Sequence, residues 1–211
     1  MPTIHNHRGA FRPLRGGTAV VNPQVKHPGT LGFVAVDESD PAQRFIVSCY
    51  HVLVRLMGEP GVQDEPLFQP SNQGPSSEVA FVELSRADAR LDCAAARVAA
   101  HIQTSPHLLG LGRPGPPLVA QVGMRVVKSG LATGVTEGVV AEVNGDVVRL
   151  ECPKGFPEDY ELSDAADSGA LWLELETRAP VALHARGNPD GAEWAEGIAI
   201  HQVLRALRLR M

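Results

Sequence analysis

Several things this chain lacks narrow its function before any motif is considered. Cysteine is scarce: Cys49, Cys93 and Cys152 are odd in number and lack the paired spacing of a zinc site. Neither a disulfide framework nor a bound metal is expected, and the three thiols are read as packed side chains of a reducing cytosol. No apolar run reaches the roughly eighteen residues that a membrane span needs. The opening Met1-Pro2-Thr3-Ile4-His5-Asn6-His7-Arg8 lacks the apolar core of a signal peptide. These two absences predict a cytoplasmic protein with no membrane partner. Basic runs are missing as well. The 19 Lys and Arg and 24 Asp and Glu are scattered to a net charge of -5, which is not the electrostatic footprint of a nucleic-acid binder.

What is present is turn-forming residues and short apolar runs. The chain has 211 residues, 44% of them hydrophobic, so it is long enough for one large domain or two small ones. Its 21 glycines and 17 prolines separate short segments rich in Val, Ala, Leu and Ile, a pattern that predicts an all-β barrel or sandwich. The first half offers strands at 18–21, 32–36, 45–48, 79–84 and 93–98. Residues 58–77 are rich in Pro, Gly, Gln and Ser and are expected to form a surface loop. A second break over 104–117 places a linker at 106–119 between an N-terminal unit (1–105) and a C-terminal unit (120–211). The second half offers strands at 123–128, 138–143, 147–150, 170–175, 181–185 and 197–200. Asn144-Gly145 between apolar segments marks a hairpin. Val203, Leu204, Leu207 and Leu209 then recur at helical spacing between Arg205, Arg208 and Arg210, predicting a short closing helix.

Three short segments carry chemistry. Ala166-Asp167-Ser168-Gly169 is a turn able to present a serine nucleophile. Upstream, His51 follows the apolar strand Val47-Ser48, and Asp92 opens the run Cys93-Ala94-Ala95-Ala96. A serine hydroxyl holds its proton too tightly to attack at neutral pH. A histidine within reach takes that proton, and a carboxylate fixes the imidazole tautomer. Taken singly, each residue has an ordinary structural reading: a packed histidine, a turn aspartate, a common turn tripeptide. Together, in the order His51, Asp92, Ser168, they form a candidate triad. Gly130–Gly138 reads as a hairpin and not as a phosphate loop, since no helix opening on Lys-Ser/Thr follows it. Cys49 is set aside as a nucleophile because Ser168 already occupies the nucleophile turn and Cys49 falls in an apparent strand.

At these residues the chain resembles the trypsin-like serine peptidase superfamily. Within it the resemblance is to the intracellular plant NARROW LEAF-like and bacterial group. It is carried by Arg12-Pro13-Leu14-Arg15-Gly16-Gly17, Gly29-Thr30-Leu31-Gly32-Phe33-Val34 and Ser48-Cys49-Tyr50-His51-Val52-Leu53. It continues through 128–138, Asp167-Ser168-Gly169, Val181-Ala182-Leu183-His184 and Ala199-Ile200-His201-Gln202-Val203-Leu204. The resemblance implies two packed six-stranded antiparallel β-barrels of chymotrypsin-like type with a short C-terminal helix. It implies peptide-bond hydrolysis of polypeptide substrates without a cofactor. Separately from the resemblance, a regulatory protein partner is expected to supply targeting. His51 would be the base, Asp92 its orienting group and Ser168 the nucleophile. The backbone N–H groups of Ala166 and Ser168 would form the oxyanion hole. Leu162, His184 and Arg186 would shape the pocket for an acidic or apolar side chain, and Asp167 would hold the turn through a buried polar contact. One departure stands out: Ala166 replaces a glycine common in such enzymes, and loss of one oxyanion donor costs on the order of 3 kcal/mol. That departure keeps a protease-fold peptide-binding module, and an esterase, as alternatives.

Overall fold

The computed structural model describes residues 6–25, 27–56, 59–71, 74–188 and 194–211. In the first half, β1 (Leu14–Gly16), β2 (Thr18–Val20) and β3 (Gly29–Leu31) are three-residue strands. β4 (Phe33–Asp37) alternates buried and half-buried residues, the period-2 pattern of a one-sided strand. β5 (Arg44–Ser48) leads into a single helical turn, α1 (Tyr50–Leu53). β6 (Pro66–Phe68), β7 (Glu78–Asp88), β8 (Cys93–Val98) and β9 (Thr104–Leu108) follow. Antiparallel ladders run β4-β5-β8-β7-β6. Past β6 the circuit continues through a bridge between Val21 and Phe68 to the β2–β3 hairpin. In place of the expected six-stranded barrel, this half is therefore an open sheet, extended at the β6 edge to the β2–β3 hairpin by one isolated bridge.

The second half closes fully. β10 (Arg125–Gly130), β11 (Gly134–Asn144), β12 (Val147–Glu151), β13 (Leu171–Glu174), β14 (Pro180–Gly187) and β15 (Trp194–Ala199) form a six-stranded barrel in the order β10-β11-β12-β15-β14-β13. The expected Asn-Gly hairpin joins β11 to β12, where Gly145 takes the left-handed backbone such a turn needs. The chain then forms α2 (Ile200–Leu207) and β16 (Leu209–Arg210), which pairs with β4 of the first half. Among the described residues no helix is long and apolar enough to cross a membrane.

Three local expectations are corrected. Leu209 belongs to β16 and not to the helix, because Arg208 takes a left-handed conformation that ends α2. Thr104–Leu108, read as the start of a break, is a strand paired in parallel with β1. Pro66–Phe68, inside the expected loop, pairs with β7. All three are short strands held by distant partners, which a local alternation pattern does not register.

The main apolar core fills the first half and extends across the junction to Val127, Leu171, Leu173 and Leu183 of the second. A smaller core inside the closed barrel packs around Trp172, Leu150 and Leu162.

Candidate active site

His51 owes its position to the end of β5. Ser48 Oγ donates to Thr30 O at 2.7 Å, and Cys49 turns the chain into α1, with its carbonyl accepting the Val52 and Leu53 N–H groups. Cys49 thus lies just past the strand and not within it. Tyr50, Val52 and Leu53 are buried, leaving His51 as the residue of this turn that faces the cleft.

Asp92 ends the β7–β8 turn, where Asp88 Oδ1 accepts the N–H groups of Arg90 and Leu91. Its φ of 50° is left-handed, a conformation aspartate tolerates better than most residues. Both carboxylate oxygens engage His51: Oδ2 accepts from Nδ1 at 2.7 Å and Oδ1 from the backbone N–H at 3.1 Å. The two side chains remain 28% and 17% exposed. The clasp assigns the ring proton to Nδ1, leaving Nε2 as a proton acceptor.

Ser168 follows a 3-10 turn over Ala165–Asp167. The turn is closed by a capping box: the Asp164 side chain accepts from the Asp167 backbone N–H, and Asp167 Oδ2 from the Asp164 N–H. Gly169 has φ 92°, and a Cβ there would collide with Ser48 Oγ and Thr30 O, so only glycine fits. The Ser168 carbonyl accepts from the Thr30 N–H at 2.9 Å. Thr30 Oγ1 donates to Ala166 O and accepts from the Leu131 N–H, each at 2.9 Å. One threonine of the first half therefore fixes the Ser168 turn of the second.

Beneath that turn lies a buried ion pair. Lys128 Nζ donates to Asp167 Oδ2 at 2.8 Å, and both side chains are 0% exposed. Thr133 Oγ1 and the Ala132 N–H donate to the same carboxylate. Burial alone pushes the Asp167 carboxyl up, but the Lys128 charge and these hydrogen bonds bring it down to about 2. Burial pulls the Lys128 ammonium below its ordinary value, against the opposing pull of Asp167. The structural role expected for Asp167 agrees with this geometry, while Lys128 as its counter-ion escaped the sequence reading.

His51 and Ser168 line one cleft of about 370 Å³, with Ser163, His184, Ala185 and Arg186 along its other walls. Ser168 Oγ donates to Ala185 O at 3.2 Å, and among the described residues it makes no hydrogen bond to His51. Ala166 lies within the 3-10 turn and is not among the cleft-lining residues, although Ala165 is. Leu162 is likewise absent from the cleft: it is fully buried in the barrel core, beside Gly138 and Trp172. Its neighbour Ser163 faces the cleft instead, with a buried Oγ that has no hydrogen-bond partner among the described residues. A Cβ on Gly187 would strike that hydroxyl, so glycine keeps this end of the cleft open.

His184 is 1% exposed, and its Nδ1 accepts from Trp172 Nε1 at 3.3 Å. Burial, reinforced by the charge on Lys128, lowers its pKa to about 3. The ring is therefore neutral at pH 7 and carries its proton on Nε2. Arg186 is exposed and paired with Glu196 through Nε at 2.7 Å.

No protein-family model matches the chain, and no curated protein matches it in sequence. Solved structures do match in shape. The chain is similar to the Nocardiopsis protease NAPase at 17% identity and a TM-score of 0.68, covering 93% of this chain and 97% of that one. It is similar to Thermobifida fusca protease A at 16% identity and a TM-score of 0.66, covering 93% and 96%. A glutamic-acid-specific serine protease that uses a histidine triad in substrate binding aligns at 19% identity and a TM-score of 0.68, covering 93% and 98%. The fold is chymotrypsin-like, the architecture of these serine proteases.

Proposed function

We propose that the chain is a serine endopeptidase in which Ser168 is the nucleophile, His51 the general base and then acid, and Asp92 the orienting group. The observation that carries this reading is the two-oxygen clasp of Asp92 on His51, at the edge of the cleft that Ser168 also lines. The clasp leaves Nε2 to take the Ser168 proton once Oγ rotates from Ala185 O toward the imidazole. Oγ then bonds to the scissile carbonyl carbon, whose oxygen becomes an anion held by the N–H groups of Ala166 and Ser168. The imidazolium, steadied by Asp92, passes its proton to the departing amine, leaving an acyl-enzyme. Water, deprotonated by the same nitrogen, releases the acid product and restores Ser168.

An acidic side chain before the scissile bond suits the cleft. The unpaired Ser163 hydroxyl and the Nε2–H of His184 are both donors, while Arg186, at the cleft wall, already spends its charge on Glu196. The histidine-using glutamate-specific relative supports the same preference. Leu162 in the barrel core leaves the apolar alternative without its expected wall. Residues 1–105 and 120–211 are proposed as the two units flanking the cleft, joined by 106–119. Membership of the NARROW LEAF-like bacterial group, a cytoplasmic setting and a regulatory protein partner complete the reading.

A second reading, a peptide-binding module without turnover, is favoured by two observations: Ser168 Oγ engages Ala185 O, and Ala166 sits in a 3-10 turn outside the cleft lining. Intact-mass labelling with a fluorophosphonate separates the two. A single adduct on the wild type that is lost in Ser168→Ala and His51→Ala is expected of the hydrolase. An unlabelled, folded wild type assigns the module. Profiling against a peptide library then tests the acidic preference, and cleavage after Arg or Lys alone would refute it.

A further inference from the structure

Cys49 has no part in the chemistry above, yet it lies against it. A ligand atom each from Cys49, His51 and Asp92 lie within 4.8 Å of one another. The thiol is fully buried and sits 3.1 Å from His184 O, to which it donates. The three side chains supply one sulfur, one imidazole nitrogen and one carboxylate oxygen, the donor types that zinc takes in three-ligand sites with an open fourth position. They come from two elements fixed by other contacts, the Cys49–His51 turn and the left-handed Asp92 corner. We propose that Cys49, His51 and Asp92 form an inhibitory site for a thiophilic divalent cation such as Zn²⁺. The site itself stands on this geometry; its inhibitory effect rests on the hydrolase reading.

Bond lengths explain why such a cation would inhibit and not assist. Zinc bonds of about 2.3 Å to sulfur and about 2.0 Å to nitrogen or oxygen hold tetrahedral ligands roughly 3.3–3.6 Å apart. The His51–Asp92 pair, now at 2.7 Å, must therefore open, and the sulfur must draw in by about an ångström. The cation and the catalytic hydrogen bond exclude each other. On binding, the thiol proton leaves to solvent and the imidazole proton moves from Nδ1 to Nε2. His51 then has no lone pair for the Ser168 proton. A recess of about 400 Å³ lined by His51, Arg90, Asp92 and Ile198 gives the ion a route to the imidazole and the carboxylate.

Co²⁺ is the direct probe, because a cobalt–thiolate bond gives a near-ultraviolet charge-transfer band that other ligands do not. The wild-type protein is expected to show that band at one equivalent, and Zn²⁺ to abolish it by displacement. X-ray absorption of the same wild-type complex should show one sulfur among the ligands. Cys49→Ala and Cys49→Ser should each lower Zn²⁺ affinity by at least about 100-fold in calorimetry, while Cys152→Ala leaves it unchanged. Zn²⁺ should also block fluorophosphonate labelling of the wild type, reversibly with a chelator, and leave labelling of Cys49→Ala unaffected. Absence of the band on folded wild type, or its survival in Cys49→Ala, overturns the site. A wild type that binds Co²⁺ through sulfur yet never labels keeps the site and refutes only the hydrolase reading.

Discussion

The two halves hold their catalytic candidates by opposite means. In the first, His51 and Asp92 stay partly exposed and are placed by backbone geometry: a one-turn helix on one side, a left-handed corner on the other. In the second, Ser168 rides on a turn anchored from below by a dry ion pair and a threonine from across the junction. A group that must exchange protons with substrate and water needs access. A nucleophile that must keep its position needs a rigid support. Damage to the first half should therefore register in rate, and damage to the second in folding.

The largest expected effect lies in the first half. Asp92→Asn should keep the fold but favour the wrong imidazole tautomer, lowering kcat by about 10⁴-fold with thermal stability nearly unchanged. A comparable loss of melting temperature would break the distinction. Next comes Lys128→Met, which strands a buried carboxylate and should cost about 3–5 kcal/mol in denaturant unfolding. The double variant Lys128→Met/Asp167→Leu should recover part of that stability while leaving the nucleophile turn poorly placed. Acid sharpens the same test. The Asp167 carboxyl lies below its ordinary 3.8, at about 2, so its stabilisation is complete above pH 3.8 and fades as pH falls towards 2. That acid-sensitive limb should be absent from the double variant. The smallest effect belongs to Ala166→Gly, expected to raise kcat by up to about 100-fold by freeing the peptide to present its N–H to the oxyanion. Unchanged kcat would mean that the hole does not depend on this residue.

The fold class and the three candidate catalytic residues were legible because each leaves a local mark: period-2 alternation, a histidine closing an apolar strand, a serine before a glycine that must be left-handed. The support was not legible, since it consists of contacts across long stretches of chain. Nothing around Lys128 in sequence announces Asp167, and nothing around Thr30 announces Ala166. Leu162 and Ser163 show the limit at finer grain. Adjacent residues in extended chain face opposite ways, so a one-residue uncertainty exchanges a core side chain for a cleft-lining one.

The strand at Leu209–Arg210 has a mechanical consequence. A pair of lobes joined by one linker behaves as a door on a single pin, free to swing. Here the chain crosses between halves twice, once through the segment after β9 and again through α2 into β16 on the edge of β4. The second crossing acts as a latch, reinforced where Arg86 reaches the Leu207 and Arg208 carbonyls. Gaping of the lobes would have to peel β16 from β4 first, so the latch resists any change in the width of the cleft that His51 and Ser168 line.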